Sequence, residues 1–295
     1  MSPSHGSIEE YYRVLQADLC ERLAAFDGSA TFGADRWERP GGGGGLTRVI
    51  SGGDVFARGA VNVSVVHGLI PTKLGEQIGA AGENFYATGI SMIFHPRNPF
   101  APTMHANVRY FEVEGGSAWF AGGFDLTPYY LFEEDARHFH SVCRRVCDNH
   151  AVADYSTMKA DCDSYFFLKH RGEARGVGGL FYDRHSEDLD EQFAFQRELG
   201  DSLYDSYVPI LARRRDTPFN AANERWHRVR RGRYVEFNLV WDRGTKFGLE
   251  TGGRTESILV SMPPDVSWDY DSIPAEGTPE RELHDLVTGP PRDWV

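Results

Sequence analysis

The stretch His95-Pro-Arg-Asn-Pro-Phe-Ala-Pro-Thr-Met-His105-Ala-Asn107-Val-Arg109 decides what kind of fold this chain adopts. Pro96, Pro99 and Pro102 rule out a helix over its first half, because each removes a backbone donor and clashes with the preceding turn. From Thr103 onward the residue types alternate. Thr103, His105, Asn107 and Arg109 fall on one strand face, and Met104, Ala106, Val108 and Tyr110 on the other. One polar face and one apolar face is the signature of an antiparallel sheet. A plainly solvated strand is one reading of the polar face. Solvated faces, however, usually carry Lys, Glu and Thr. A row of imidazole, amide and guanidinium suits an anion better, since Arg grips a carboxylate bidentately and His donates a proton near neutral pH.

The surrounding segments extend this pattern. Thr88 to Phe94, Met104 to Val113 and Trp119 to Thr127 read as strands. Residues 30–68 read as short strands broken by glycine, with Gly41 to Gly45 as a flexible hairpin loop. A first helix is expected from Ser7, with Glu10 closing a capping box and Gly28 as its stop. Further helices are expected over Phe132 to His150, Ser156 to about His170, and Leu189 to Arg215 with an interruption near Pro209. Another starts at Thr217-Pro218 and ends at Gly232. Tyr234 to Trp241 and Ser257 to Met262 read as strands, and a short helix near Pro279 to Val287 lies in the proline-rich tail. Strands and helices come in mixed order without βα alternation. That predicts the α+β class, with a broad antiparallel sheet. No linker divides the chain, so one domain over residues 1–295 is expected.

Composition narrows the function. The 41% hydrophobic and 25% charged content is that of an ordinary folded chain. No apolar run approaches the roughly 18 residues needed to cross a bilayer, so stable membrane insertion is not expected. The start MSPSHGSIEEYY has neither a basic n-region nor an apolar h-region, which favours a cytoplasmic location. Four cysteines, Cys20, Cys143, Cys147 and Cys162, are too few for a disulfide scaffold, and no CxxC occurs. The net charge of −12 argues against nucleic acid.

Other segments carry chemistry of the same kind. Asp242 and Arg243 stand at the expected end of the Tyr234 strand, where both reach one cleft; a simple turn is the alternative. Lys169 to Gly179 is basic and glycine-rich, and Gly252-Gly253-Arg254 repeats glycine beside arginine. Neither matches a phosphate-loop spacing. Residues 213–233 hold eight arginines, read as a solvated helix with internal ion pairs. His95, His105, His140 and His170 lie on separate elements, and their spacing matches no metal motif. These residues together predict a ligand with several carboxylates and an apolar body.

At these residues the chain closely resembles oxygen-dependent coproporphyrinogen III oxidase. The likeness runs from about Val61 to Val295. It rests on His95-Pro-Arg-Asn-Pro with Pro102-Thr-Met-His105-Ala-Asn-Val-Arg109, and on Phe124-Asp-Leu-Thr-Pro128-Tyr-Tyr. It rests also on His170-Arg-Gly-Glu-Ala-Arg-Gly-Val-Gly-Gly179, Gly232-Arg-Tyr-Val-Glu-Phe-Asn238, Trp241-Asp-Arg-Gly-Thr-Lys-Phe-Gly248 and Pro291-Arg-Asp-Trp-Val295. The resemblance implies conversion of the ring A and B propionates of coproporphyrinogen III to vinyl groups, with O2 as co-substrate, giving protoporphyrinogen IX in haem synthesis. It implies no organic cofactor, helices on both faces of the sheet, and a homodimer formed through residues 235–270. It further implies His105 as proton donor, Asp242 with Arg243 as an acid/base and propionate-holding pair, and Ser91, Asn107, Arg109, Gly252, Gly253 and Arg254 as substrate contacts. It places divalent-metal positions at His95, His105, His140 and His170. In one place the chain departs from the family pattern: Lys159-Ala-Asp161-Cys162 has Asp where Trp is usual, a position read as packing or surface. Three rival functions remain at this stage: a porphyrin carrier without turnover, a metal-dependent oxygenase, and an arginine-mediated nucleic-acid module.

Overall fold

The alternation around His105 belongs to the centre of a seven-stranded antiparallel sheet. A computed structural model describes residues 3–250 and 252–295, apart from the side chains of Lys73, Leu74, Gln77 and Phe247. Its strands are β1 (Gly33–Glu38), β2 (Gly43–Ser51), β3 (Phe56–Leu69), β4 (Asn84–Pro96), β5 (Thr103–Val113), β6 (Ala118–Thr127), a small hairpin of β7 (Phe167–Leu168) and β8 (Glu173–Ala174), and β9 (Gly178–His185). The large sheet runs β1-β2-β3-β4-β5-β6-β9, a meander closed by β9. The helices are α1 (His5–Asp27), α2 (Thr72–Ile78), α3 (Glu133–Asp148), α4 (Tyr155–Tyr165), α5 (Leu189–Asp201), α6 (Leu203–Arg214), α7 (Ala221–Glu236), α8 (Arg243–Glu250), α9 (Thr255–Leu259) and α10 (Pro279–Thr288).

The apolar face of the sheet builds the main core. Val61, Ile90, Met92, Met104, Val108, Phe120 and Phe124 pack there against α1, α3, α5 and α6 through Tyr12, Leu19, Phe139, Phe195 and Tyr207. Each such side chain contributes roughly 1.5–3 kcal/mol by leaving water. On the opposite face Tyr234 of α7 packs on Ala60 and Ile93, and Ser257 of α9 bonds to Thr47 and Asn62. Helices therefore cover both faces, and the α+β expectation holds. Arg231 donates to the Pro96 carbonyl, and Asn98 to the carbonyls of Arg215 and Thr217. These bonds fasten the proline-rich turn that precedes β5.

Several local expectations need correction. The first helix begins at His5 with Ser4 as its cap, not at Ser7. Gly43 to Gly45 are not a loop but the start of β2. A Cβ at Gly43 would lie 2.1 Å from the Val65 carbonyl, so only glycine allows this close strand approach. The helix expected to reach His170 ends at Tyr165, and the chain turns into the β7–β8 hairpin. The Leu189 helix breaks at Ser202, while Pro209 sits inside α6. The Asp205 carbonyl, which Pro209 leaves without an intrahelical donor, receives a bond from His138 Nε2 at 2.9 Å instead.

The largest difference concerns Tyr234 to Trp241. This segment is not a strand. Helix α7 continues through Gly232 and runs into a π-helical turn, Phe237–Trp241. Gly232 does not stop it, because its missing side chain serves packing: a Cβ there would lie 2.7 Å from the Ser267 carbonyl. Ser257 to Met262 is likewise not a strand, since α9 occupies its first half. Alternating apolar residues misled both readings because buried helix segments of mixed polarity produce the same pattern.

Candidate active site

The polar face of β5 is where the chemistry-bearing residues meet. Register makes the layout explicit. His105 stands opposite Ile93 of β4 and Asp125 of β6; Asn107 opposite Ser91 and Gly123; Arg109 opposite Gly89 and Ala121. Opposed residues share a face, so Ser91, His105, Asn107, Arg109 and Asp125 form one surface.

At one end of this surface His105 Nδ1 lies 2.9 Å from Asp125 Oδ1. Arg175 Nη2 donates to both Asp125 oxygens, at 2.7 and 2.8 Å, and its Nη1 donates to Asn238 Oδ1 at 3.1 Å. Burial alone would push the Asp125 carboxyl up. The Arg175 guanidinium and the His105 bond outweigh it and hold Asp125 below the usual range. An ionised carboxylate only accepts hydrogen bonds, so His105 Nδ1 carries the hydrogen and its Nε2 is directed away from Asp125. Arg175 is itself sandwiched by aromatic rings, 3.9 Å from the Phe166 centroid and 4.8 Å from those of Tyr234 and Phe237.

At the other end the arrangement is looser. Arg109 and Arg243 converge on one carboxylate, Asp183 of β9, at 3.6 and 3.5 Å. Arg243 also lies over the Tyr165 ring, 4.9 Å from its centroid. Between the two ends stands Asp242. Its Oδ1 accepts from the Tyr165 hydroxyl at 2.8 Å and its Oδ2 from the Thr245 N–H at 2.6 Å. Burial raises this carboxyl too, but those donors, with His105 contributing, bring it below its ordinary value. Asp242 and Arg243 therefore reach the site from the junction of the π-helical turn and α8, not from a strand end. Asp242 also serves as a cap for α8, which fixes its orientation.

Arg254 lies across the sheet, paired with Asp35 of β1. Asp35 faces Thr47, Thr47 faces Asn62, and Asn62 faces Ser91, so Arg254 stands at the far edge of the row that holds Ser91 and Asn107. Gly253 closes a turn by donating to the Gly248 carbonyl at 2.8 Å, and Gly252 has φ +71. Of the substrate contacts implied by resemblance, Ser91, Asn107 and Arg109 share one sheet face with His105. Arg243 and Asp242 approach from above it, and Gly252, Gly253 and Arg254 border its β1 edge.

The four histidines do not gather. Among the described residues no three His, Cys, Asp or Glu side chains are grouped to hold a metal. His95 is buried, with Nε2 on the Ser261 carbonyl at 2.9 Å and Nδ1 on the Thr103 hydroxyl at 3.0 Å. His140 repeats this with the Val177 carbonyl and the Tyr155 hydroxyl. A carbonyl only accepts, so Nε2 bears the hydrogen, and the remaining lone pair on Nδ1 is engaged by a hydroxyl. His170 accepts from Trp241 Nε1 at 2.8 Å and bonds Glu236 at 2.7 Å. These side chains, spread over β4, β5, α3 and the β7–β8 turn, do not fit one metal centre among the described residues.

Asp125, Asp183 and Tyr165 were not singled out from the sequence, and Arg175 stood out only as part of the basic Lys169 to Gly179 segment. A signal existed for Asp125, since a carboxylate amid the apolar run of β6 needs a buried partner. Six of the eight arginines of residues 213–233 form ion pairs and Arg231 bonds the Pro96 carbonyl, yet Arg230, Arg231 and Arg233 are buried, not solvated. Asp161 is exposed on α4, in keeping with a surface position. A hollow of about 620 Å³ lined by His5, Tyr110 and Glu112 belongs to the other face of β5 and is separate from this site. A family model described as coproporphyrinogen III oxidase matches residues 7–294, nearly the whole chain, and the chain belongs to that family.

Proposed function

We propose that this chain converts the ring A and ring B propionates of coproporphyrinogen III to vinyl groups with O2, giving protoporphyrinogen IX. The observation that supports this site assignment best is the convergence of Arg109 and Arg243 on the Asp183 carboxylate. Two guanidiniums on one weakly held carboxylate form a ready receptor for a propionate, which displaces Asp183. Arg254 offers a second such grip at the opposite edge.

Each conversion releases CO2, takes an electron pair and a proton from the propionate arm, and passes the electron pair to O2. An electron-rich pyrrole supplies the driving chemistry, so the protein's share is positioning and charge placement. Asp242, held ionised, accepts a pyrrole N–H bond or the departing proton. His105, oriented by Asp125, donates a proton from Nε2 to reduced oxygen. Ser91 and Asn107 contact the body of the substrate. Gly252 and Gly253 bring backbone close to it. No organic cofactor takes part, and no step passes through a metal, because the histidines do not fit one.

The chain acts as a homodimer in this reading. Leu239, Val240 and Leu249 are large apolar side chains left exposed, and they fall within residues 235–270. A cytoplasmic location accords with the absence, among the described residues, of any helix long and apolar enough to cross a membrane. The net charge of −12 leaves nucleic acid out of the reading.

Incubating chelator-treated protein with coproporphyrinogen III, with and without O2, and following product mass tests the proposal. Loss of two carboxyl groups only in the presence of O2 is expected. Substrate eluting unchanged and stoichiometric with the protein identifies a carrier. Turnover restored only by added Mn²⁺ or Fe²⁺ identifies a metal-dependent enzyme.

A further inference from the structure

The Gly41 to Gly45 run acquires a purpose once register is followed across the sheet. Trp37 faces Gly45, Gly45 faces Ser64, Ser64 faces Gly89, and Gly89 faces Arg109. The side chains of Trp37, Ser64 and Arg109 project from the polar face, and Gly45 and Gly89 add none. Between the indole and the guanidinium the row carries nothing larger than a hydroxymethyl group. Three strand spacings of roughly 4.8 Å separate Gly45, over which the indole lies, from Arg109, so the floor spans about 14 Å. That is wide enough for the body of a tetrapyrrole.

The indole is held in place by two contacts. A Cβ built on Gly45 would lie 2.4 Å from Trp37 Cζ2 and 2.7 Å from Cε2, so the ring rests directly on the glycine backbone. Trp37 Nε1 donates to Thr47 Oγ1 at 3.2 Å, and Thr47 Oγ1 is 2.8 Å from Ser257 Oγ of α9. Trp37 stays half-buried. Asp35, the partner of Arg254, lies two residues earlier on the same strand face. The trough thus has an arginine near each end, an aromatic wall beside one of them, and a floor without side-chain bulk.

We infer that Trp37 is a substrate-binding residue: its indole forms the end wall of the trough and contacts the pyrrole body of the substrate, while Arg109 and Arg254 hold carboxylates at opposite ends. This rests on the reading of the chain as a coproporphyrinogen III oxidase. It goes beyond that reading by giving the apolar part of the substrate a named contact. An aromatic face offers a flat heterocycle affinity without demanding one orientation of hydrogen bonds. Gly45 then seats the indole, and Gly89 keeps the floor clear beside Arg109. At Gly89 a Cβ would lie 2.9 Å from the Arg109 Cβ.

Steady-state kinetics with coproporphyrinogen III on the wild-type chain and on Trp37→Ala, Trp37→Leu and Trp37→Phe tests this. Trp37→Ala and Trp37→Leu should raise KM roughly tenfold with kcat changed less than about twofold, a loss of ~1.4 kcal/mol in binding. Trp37→Phe keeps a flat ring and loses only the Thr47 bond, so its KM should rise no more than about threefold. An unchanged KM in Trp37→Leu overturns the inference, even where Trp37→Ala does not fold. A Phe variant as impaired as the Leu variant also overturns it, since the Thr47 bond would then be what matters. A wild-type chain without turnover overturns the functional reading itself, and the inference with it.

Discussion

The two ends of the polar sheet face handle charge in opposite ways. At the His105 end, Arg175 and Asp125 are sealed from water, with side-chain exposures of 1% and 2%, and every charge has a close partner. At the Arg109 end, Arg109 and Arg243 are 47% and 63% exposed and meet Asp183 at 3.6 and 3.5 Å. A buried, bidentate pair fixes geometry and tolerates no removal of one member. An exposed pair beyond hydrogen-bond length contributes little to stability and yields readily to a better partner. The first end therefore reads as the rigid part, which aims His105. The second reads as the receptive part, which waits for a carboxylate. Replacing one residue at each end should separate these roles.

The largest effect belongs to the rigid end. Arg175→Ala leaves Asp125 in the interior with only the His105 bond and no close guanidinium, and should cost about 3–5 kcal/mol of stability. Denaturant unfolding measures this. A variant as stable as wild type would show that Asp125 is hydrated or neutral, and the distinction between the ends would collapse. Next comes the receptive end. Arg109→Ala should lose about a hundredfold in kcat/KM, the equivalent of ~2.7 kcal/mol, while its unfolding midpoint stays close to wild type. An active Arg109→Ala chain would remove this residue from the site.

A buried carboxylate held by neutral donors, backbone N–H groups and the Ser29 hydroxyl, sharpens the comparison further. Asp27, at the end of α1, accepts the N–H groups of Val55 and Phe56 at 2.9 Å each and of Ala30 at 3.0 Å. Burial raises its carboxyl, but these donors prevail and bring it down to about 2 from 3.8. Its folded value is depressed, so its contribution is complete above pH 4 and fades as pH falls from about 4 to 2. Asp27→Asn should cost roughly 2 kcal/mol at pH 7, and the gap from wild type should close toward pH 2. A gap independent of pH would mean that shape, not charge, matters at this position.

The sheet and the site were unequally legible in the sequence. The β5 alternation gave the strand and its polar face together, because period-two polarity, three prolines and a His/Asn/Arg row all agree there. Asp242 and Arg243 were found as residues but placed on the wrong element. Helix α7 buries Arg230, Arg231 and Arg233 against Glu173 and a carbonyl, so polarity no longer reports exposure, and periodicity fails. Gly232 looked like a stop because a missing side chain serves helix termini and close packing alike. Asp125, Arg175 and Asp183 went unassigned for another reason: their roles arise from register and from a hairpin that folds back on the sheet. Pairings across 50 or more positions, such as Arg175 with Asp125, leave no local trace.

The smallest expected effect tests the receptive end most directly. Asp183 occupies the place where a propionate is expected to bind, so the free protein already satisfies Arg109 and Arg243 in part. Asp183→Asn removes the competing charge and keeps the shape. Exposed pairs of this kind are worth about 0–1 kcal/mol. Their loss should therefore lower KM by no more than about fivefold and leave the unfolding midpoint nearly unchanged. The direction matters more than the size. A lower KM means that Asp183 is a placeholder which the substrate displaces. A higher KM with intact folding means that Asp183 holds the two guanidiniums in their binding positions, and the receptive end is then as preorganised as the rigid one. High salt offers an independent check, since screening weakens the exposed Asp183 pairs and leaves the sealed Arg175–Asp125 pair intact.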